Sequence, residues 1–327
     1  MRTITGFTAL VIILCIVPVL SAQEKLSDAY AFSICPQFGV LYGQSEEIVF
    51  PGPENKAKLL SLLTWDINTV FYYGLLLDFS QKDTTEKWGL FSNFSLKYCI
   101  PGISGKMEDR DWQSEENNAL TSYSIHDNLV KEFFFMDITA GFSYPLYHAV
   151  LLKAFVNMSF MRFCFYGMDG HGTYARGNPP KSGNYYPITD NPDELPFSGR
   201  VINYTQEWLI VAPGVSLGWF LTKKSVAELS FMISPLISCA DLDEHLTTNT
   251  QYRDYMQGGL YYEPGFRFSY AFNKWIDITF EYSYRFIGGS KGVTYSSKYS
   301  DSTYAPHGTA GSGLSLTDAS LLLKTRL

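Results

Sequence analysis

Residues 132–167 read EFFFMDITAGFSYPLYHAVLLKAFVNMSFMRFCFYG. Two runs rich in aromatic and apolar residues stand on either side of Pro145, and helical periodicity is weak in both. Runs of this composition with a turn signal between them are typical of an antiparallel hairpin. The stretch therefore predicts two long neighbouring strands that meet in a tight turn at Pro145.

The same pattern continues along the chain and predicts ten strands. They cover residues 29–43, 56–80, 88–100, 132–144, 148–167, 200–220, 225–239, about 252–272, 276–287 and 316–327. Connections alternate in length. Those near 81–87, 144–146, 221–224 and 273–275 are short, and those at 102–128, 169–198 and 290–313 are long and polar. An even strand number with short turns at one end and long loops at the other is typical of outer-membrane barrels.

Composition supports the same fold class. Aromatic residues make up 16% of the chain and charged residues only 17%. A soluble secreted domain rarely combines these values, whereas an outer-membrane barrel has an apolar lipid face and aromatic girdles at both interfaces. Several strands exceed the ~9–11 residues that cross a bilayer. We therefore expect an all-β, ten-stranded antiparallel transmembrane β-barrel of outer-membrane type that extends above the membrane.

The first residues predict a secretory signal peptide over 1–22, followed by one barrel domain over 23–327. Arg2 precedes an apolar run over 9–19, and Ser21 and Ala22 are small residues suited to cleavage. The run is shorter than the ~20 residues of a membrane-spanning helix.

The net charge of the chain is −7, and loss of Arg2 would give −7 − 1 = −8. Nucleic acid is therefore not an expected partner, whereas basic polypeptides are. The four cysteines beyond the signal have no metal-type spacing, and they are either buried thiols or disulfides: Cys35, Cys99, Cys164 and Cys239.

Three acidic stretches follow strands that run in the same direction, so they belong to one rim of the barrel. They lie at residues 46–47, at 108–111 within GKMEDRDWQ, and at 241–245 within CADLDEHLTT. Side chains at i, i+2 and i+4 of a strand share a face. If the strand continues past Cys239, Asp241, Asp243 and His245 point the same way. Asp109 and Asp111 share a face for the same reason.

These residues suggest hydrolysis without a serine or cysteine nucleophile. Asp243 would fix the tautomer of His245 and raise its basicity, and Asp109 with Asp111 would hold a water opposite the imidazole. His245 would take a proton from that water, which would attack a peptide carbonyl. A Ca²⁺ or Zn²⁺ site is the next alternative, but no second histidine stands near either pair, so we expect no metal.

The order EDRDW and then DLDEH resembles the omptin family of outer-membrane aspartyl-type proteases. The stretch INYTQEWLIVAPGVSLG, residues 202–218, is similar to a strand of that family, and TSYSIH, residues 121–126, is similar to its Thr-x-x-Ser-x-His stretch. The resemblance implies a ten-stranded barrel in the bacterial outer membrane with its active site facing the exterior. It implies an aspartic-type endopeptidase.

Residue roles follow from the resemblance position by position. It implies Asp109 with Asp111 and Asp243 with His245 as catalytic pairs. It implies Glu47 and Asp241 as the acidic floor of a pocket that favours Arg or Lys in polypeptide substrates through charge-assisted hydrogen bonds. Ser124 and His126 would support the site.

The chain also departs from the family pattern. A lipopolysaccharide-contacting Tyr-x-Glu-x-Arg stretch is replaced by residues 158–162, so that only Arg162 is retained as a lipid-binding residue. Ser122 stands where an acid is usual. The sequence therefore leaves open whether activity requires lipopolysaccharide or another outer-membrane lipid, and no other cofactor is expected. Two other functions stay open, a non-catalytic surface adhesin of the same build and a passive porin.

Overall fold

The computed structural model describes residues 30–50, 59–81, 88–114, 118–147, 149–176, 185–190, 192–273, 275–298 and 303–326. They form fourteen strands. These are β1 (Tyr30–Phe50), β2 (Ser61–Gln81), β3 (Gly89–Cys99), β4 (Gly102–Asp111), β5 (Ser122–Tyr147), β6 (Val150–Ala175), β7 (Pro192–Pro196), β8 (Arg200–Phe220), β9 (Ser225–Ser234), β10 (Ile237–His245), β11 (Thr250–Gln257), β12 (Leu260–Ala271), β13 (Ile276–Lys298) and β14 (Ala305–Arg326). Within these ranges no helix is long and apolar enough to cross a membrane.

The strands close into an antiparallel ring with ten positions. Four pairs of successive strands each occupy one position: β3 with β4, β7 with β8, β9 with β10, and β11 with β12. β1 pairs with β14, and β6 pairs with β8, which closes the ring without a free edge between those strands. The predicted ten-stranded barrel is confirmed. We call the end where β1 finishes and β2 begins the site end, and the opposite end the terminal end.

Strand alternation separates a lipid-type outer face from a filled lumen. In β8, Trp208, Ile210 and Ala212 are fully buried inside the ring, whereas Leu209 and Val215 are about half exposed on the outside. Exposed apolar and aromatic side chains continue around the terminal half of the ring on the other strands. Because a barrel pairs every backbone group internally, such a band can face hydrocarbon.

Aromatic rings from four strands close the lumen midway along the barrel. The rings of Trp65 and Tyr204 stack at 5.3 Å, and Trp65 stacks on Phe165 at 5.4 Å. Phe163 and Phe133 extend the stack, with centroid separations of 5.6 and 5.5 Å. Part of the aromatic excess therefore fills the lumen, in addition to the rings that are exposed on the outer face.

Ion pairs fill the lumen between this aromatic layer and the terminal end. Lys97 Nζ lies 2.5 Å from Asp318, and Lys153 Nζ lies 2.6 Å from Glu228. Charges buried inside a narrow barrel are tolerated when each has a partner at hydrogen-bond distance. The layer of pairs therefore links strands of the barrel that are not hydrogen-bonded neighbours.

Two of the connections predicted as long loops are largely strand, since β4 and the start of β5 occupy most of 102–128 and β13 and β14 take up most of 290–313. The third, 169–198, contains the end of β6, which extends to Ala175, and the short strand β7. Above the outer band, both faces of the strands are polar, so the apolar alternation that reveals a strand is lost there. The turn predicted at Pro145 is also wrong, because β5 continues to Tyr147.

Two predicted strands are interrupted at the same level of the barrel. Pro235 separates β9 from β10, and Gly258 with Gly259, both at positive φ, separates β11 from β12. Proline cannot donate to the strand ladder, and glycine accepts backbone angles that other residues resist. These breaks let the strands change direction between the apolar band and the rim.

The signal peptide predicted for residues 1–22 and the turn over 82–87 lie outside the described residues. The four cysteines that the structure describes are free thiols: Cys35, Cys99, Cys164 and Cys239. The disulfide alternative therefore does not apply to them.

Candidate active site

A polar cleft of about 380 Å³ opens at the site end of the barrel. Residues of β1, β2, β4, β5, β10, β11 and β13 line it, so walls that are remote in sequence converge there. The titratable residues in the lining are Glu47, Asp109, Asp111, His126, Tyr174, Asp243, His245, Tyr252 and Asp254.

β10 supplies the imidazole. The strand continues past Cys239 to His245, so that Asp241, Asp243 and His245 share the inward face. His245 Nε2 lies 2.5 Å from Asp243 Oδ2, and the side chain of Asp243 is almost fully buried. Glu244 points outward instead, where its carboxylate accepts a hydrogen bond from Asn203 at 2.8 Å. The pair of Asp243 and His245 is therefore formed before any substrate binds.

β4 supplies the opposing carboxyl pair. Asp109 accepts a hydrogen bond of 3.3 Å from Ser61 Oγ, and Asp111 accepts one of 2.5 Å from Ser122 Oγ. Ser122 is the residue that replaces the usual acid of the family, and here its hydroxyl orients a candidate catalytic carboxylate. The neighbouring strands β2 and β5 therefore fix the pair from both sides.

The two pairs act on each other across the lumen. β4 lies between β2 and β5, whereas β10 lies between β8 and β11, and both reach the same cleft. Burial lowers the pKa of His245, but Asp243, Asp109 and Asp111 raise it more, to about 9. Burial and Asp111 raise the pKa of Asp109 well above its ordinary value. The carboxyl pair and the imidazole therefore share their protons as one unit.

A second group of acids lies beside the dyad. Burial raises the pKa of Glu47 well above its ordinary value, and Asp243, Asp241 and Asp254 raise it further. Burial and Asp254 also raise the pKa of Asp241, whose Oδ2 accepts a hydrogen bond of 3.0 Å from the hydroxyl of Tyr204. Burial raises the pKa of Asp254 to about 7. Only part of this cluster can be ionised at once near neutral pH.

Ser124 and His126 line the cleft from β5. His126 Nε2 lies 3.0 Å from Ser124 Oγ, and Nδ1 lies 2.5 Å from the backbone carbonyl of Asp169. Asp169 holds φ at 53°, a region that non-glycine residues adopt rarely and that clusters at functional sites. Burial lowers the pKa of His126, which favours its neutral form. The pair is well placed to support the site, and its role stays a prediction.

Arg162 lies outside the cleft, on the outer face of β6. Its guanidinium contacts Glu132 at 3.4 Å and Glu207 at 3.3 Å. Two carboxylates therefore neighbour its charge on the outer face of the barrel.

Asp254 was missed by sequence analysis. Its stretch, TQYRDYMQ, offers no clear apolar alternation, so the strand face could not be assigned. The hairpin does offer a signal that could have located Asp254. Its turn over 246–249 pairs His245 with Thr250, and the same register places Asp254 opposite Asp241. In the described part of the chain, no group of three acids, histidines or cysteines is arranged to hold a metal ion.

The closed ring with its apolar outer band defines an outer-membrane β-barrel, and the carboxyl–imidazole cleft is its candidate active site. The sequence profile of the Omptin family matches residues 28–323, and the chain belongs to that family. It is 23% identical to the plasminogen activator of Yersinia pestis over 273 residues, which are 81% of this chain and 78% of that protein. Its fold matches the crystal structure of the outer membrane protease OmpT from Escherichia coli with a TM-score of 0.78 and 18% identity, covering 91% of this chain and 97% of that one.

Proposed function

We propose that the protein is an outer-membrane endopeptidase that hydrolyses polypeptides next to basic residues by direct attack of a water molecule. One observation carries the proposal: the Asp243–His245 pair and the Asp109–Asp111 pair line a single cleft although they lie about 130 positions apart in sequence. Family membership supports the outer-membrane protease class.

His245 acts as the general base. Because Nε2 is hydrogen-bonded to Asp243, the neutral tautomer carries its proton on Nε2 and leaves the lone pair of Nδ1 for a water. The imidazole takes a proton as the water oxygen bonds to the peptide carbon, and it returns that proton to the leaving amine. Asp243 stabilises the imidazolium that exists between these two steps.

Asp109 and Asp111 hold the water and the substrate carbonyl. Their raised pKa values favour one shared proton between them. The ionised member accepts a hydrogen bond from the water. The protonated member donates to the carbonyl oxygen, where negative charge develops in the transition state. Ser61 and Ser122 keep both carboxyl groups in place without adding a charge.

Basic specificity follows from the charge of the cleft. Its lining contains several buried or partly buried carboxyl groups and no lysine or arginine in the described part of the chain. An arginine or lysine of the substrate would supply the missing cation through charge-assisted hydrogen bonds.

The barrel sits in the bacterial outer membrane with the site end facing the exterior, so that extracellular polypeptides reach the cleft. Lipopolysaccharide or another outer-membrane lipid is the one additional requirement that we propose to test. The carboxylates beside Arg162 reduce its attraction for a lipid phosphate.

Refolded protein should cut a fluorogenic peptide that contains an Arg-Arg pair. We expect mass spectrometry to place the cut next to arginine, and we expect the same peptide with citrulline in both positions to stay intact. Citrulline has the shape of arginine without its charge, so it serves as the matched control. Parallel reactions with and without lipopolysaccharide measure the lipid requirement. An intact Arg-Arg peptide under both conditions, or equal cleavage of the citrulline peptide, would contradict the proposal.

A further inference from the structure

The carboxyl pair on β4 and the Asp243–His245 pair on β10 divide the cleft into two halves. Two arcs of strands connect β10 with β4 around the ring. One arc runs through β8, β6 and β5, and the other runs through β11, β13, β14, β1 and β2. We call the parts of the cleft that these arcs line the β6 half and the β1 half. A peptide bond held between the two pairs therefore has a different wall on each side.

The two halves have different linings. The β1 half contains two acids, Glu47 and Asp254. In the described part of the chain, the β6 half contains no carboxylate, lysine or arginine, and its side chains come from β5, β6, β8 and the residue after β7: Ser124, His126, Tyr174, Phe197, Val201 and Ile202. Burial lowers the pKa of His126, and burial together with the carboxyl pair raises the pKa of Tyr174 to about 12. The β6 half is therefore uncharged near neutral pH.

Two aromatic rings meet over Gly172 in the wall of the β6 half. A Cβ at Gly172 would lie 2.6 Å from the ring of Tyr174 and 3.0 Å from the ring of Phe197. Phe197 also packs against the imidazole of His126, with ring centroids 5.2 Å apart. Its backbone N–H donates a hydrogen bond of 2.9 Å to the carbonyl of Gly170. Both rings are therefore fixed by contacts within the wall and present apolar surface to the cleft.

An extended peptide that crosses between the pairs would use both halves. Successive side chains of an extended chain point to opposite sides, so the two residues that flank the scissile bond enter different halves. A basic side chain is attracted to the β1 half by its acids. In the β6 half, a lysine or glutamate would lose hydration without gaining a charged partner, whereas an aromatic or aliphatic side chain would gain contact with the rings.

From this geometry we propose that the β6 half is a subsite for an aromatic or large aliphatic side chain of the substrate, selected by Phe197 and Tyr174. The inference rests on the proposed function, because it identifies the residue across the scissile bond from the basic residue. The preferred cleavage site then has one basic and one apolar residue, and a second basic residue in the β6 half is disfavoured.

Peptides that cannot be hydrolysed test the subsite without any cleavage. We use short acetylated peptide amides in which a reduced CH₂–NH bond joins arginine to a neighbour that is Phe, Leu, Lys or Glu, prepared in both orders. The reduced bond is the same throughout, so affinity ratios report the neighbour alone. In the order that binds more tightly, the Phe peptide should bind the folded barrel about 10-fold more tightly than the Lys peptide. Isothermal titration calorimetry gives the affinities.

Variants of the two rings assign the preference to the wall. We expect Phe197→Ala to reduce the Phe-to-Lys affinity ratio about 5-fold, because the ring contact is lost. Phe197→Asp should reverse the preference toward Lys, because a carboxylate then faces that side chain. Tyr174→Thr removes the second ring and replaces these variants if they do not fold. Tyr255→Ala is the matched control, because it removes a half-exposed ring that packs on Tyr295 outside the cleft.

The inference is overturned if wild-type protein binds the Lys peptide as tightly as the Phe peptide, or if ring removal at Phe197 and at Tyr174 leaves the ratio unchanged. Failure of every peptide to bind would also contradict it. A barrel that shows the expected ratio but leaves an ordinary Arg-Phe peptide intact would contradict only the proposed function. A barrel that cuts next to arginine with no preference for Phe over Lys would contradict only the inference.

Discussion

The imidazole of His245 is surrounded by more negative charge than any single partner supplies. Asp243 contacts it directly, and Asp109 with Asp111 acts from the other wall of the cleft. Together they favour the protonated ring, with a pKa of about 9. A base with this pKa is strong once it is neutral, but only a minor fraction of it is neutral at pH 7.

This balance predicts a pH dependence with a definite sign. Because the neutral ring accepts the proton, kcat/KM should rise with pH until the free enzyme passes the pKa of His245, near 9. Asp243→Asn removes the first of the carboxylates that raise this pKa, so the rise should move to lower pH while the maximum falls about 100-fold. Initial rates measured from pH 5 to pH 10 check both effects. A flat profile between pH 6 and pH 9 would contradict the role of His245.

Individual site residues were predictable to different degrees. Asp241, Asp243 and His245 could be placed on one face because strand alternation holds whatever the tertiary structure is. The place of Asp254 in the cleft could not be predicted, because it depends on the pairing of Asp254 with Asp241 on the adjacent strand and not on its own neighbours in sequence. The role of Ser122 was hidden for the same reason, since its hydroxyl acts only through Asp111.

At the scale of elements, the junction between β11 and β12 tests how the strands bend toward the rim. Gly258 has φ of 71°, and a Cβ there would meet only open space. Gly259 has φ of 103°, and a Cβ there would lie 2.5 Å from the carbonyl oxygen of Gly288. The two glycines are adjacent, so they form a matched pair.

We expect Gly259→Ala to destabilise the barrel by about 3 kcal/mol, since strain and a backbone clash add together. Gly258→Ala should cost about 1 kcal/mol, because only the positive φ is unfavourable. Urea unfolding of the refolded variants, followed by tryptophan fluorescence, measures the difference. Equal unfolding midpoints would mean that the close approach to Gly288 does not constrain this junction.

Element boundaries were predictable within the apolar band and not beyond it. Strands such as β8 carry a clear inside–outside contrast there, because one face meets lipid and the other fills the lumen. β4 carries the stretch GISGKMEDRD, which is polar on both faces and contains two glycines, so it reads as a loop. It becomes a strand because β2 and β5 supply hydrogen-bond partners on both sides, which is information from tertiary structure.

For the whole molecule, the layers of the barrel explain how one cleft can be open to substrate and closed to the lumen. Ion pairs fill the lumen on the terminal side, and the aromatic layer around Trp65 and Phe165 separates them from the carboxyl groups. The cleft lies immediately above that layer, where burial raises the pKa values of the acids. A closed floor and a ring of acids suit a site that binds an extended cationic chain from one side.

The most direct test of the account is the turnover of the His245→Ala variant on the Arg-Arg peptide. Both variant and wild type should show the heat-dependent gel mobility of a folded barrel, and Glu244→Gln, which changes the outward-facing neighbour on β10, should keep wild-type turnover. We predict that His245→Ala lowers kcat by about 10²- to 10⁴-fold, as loss of a general base does. Turnover of His245→Ala within a few-fold of wild type would contradict water activation by the Asp243–His245 pair.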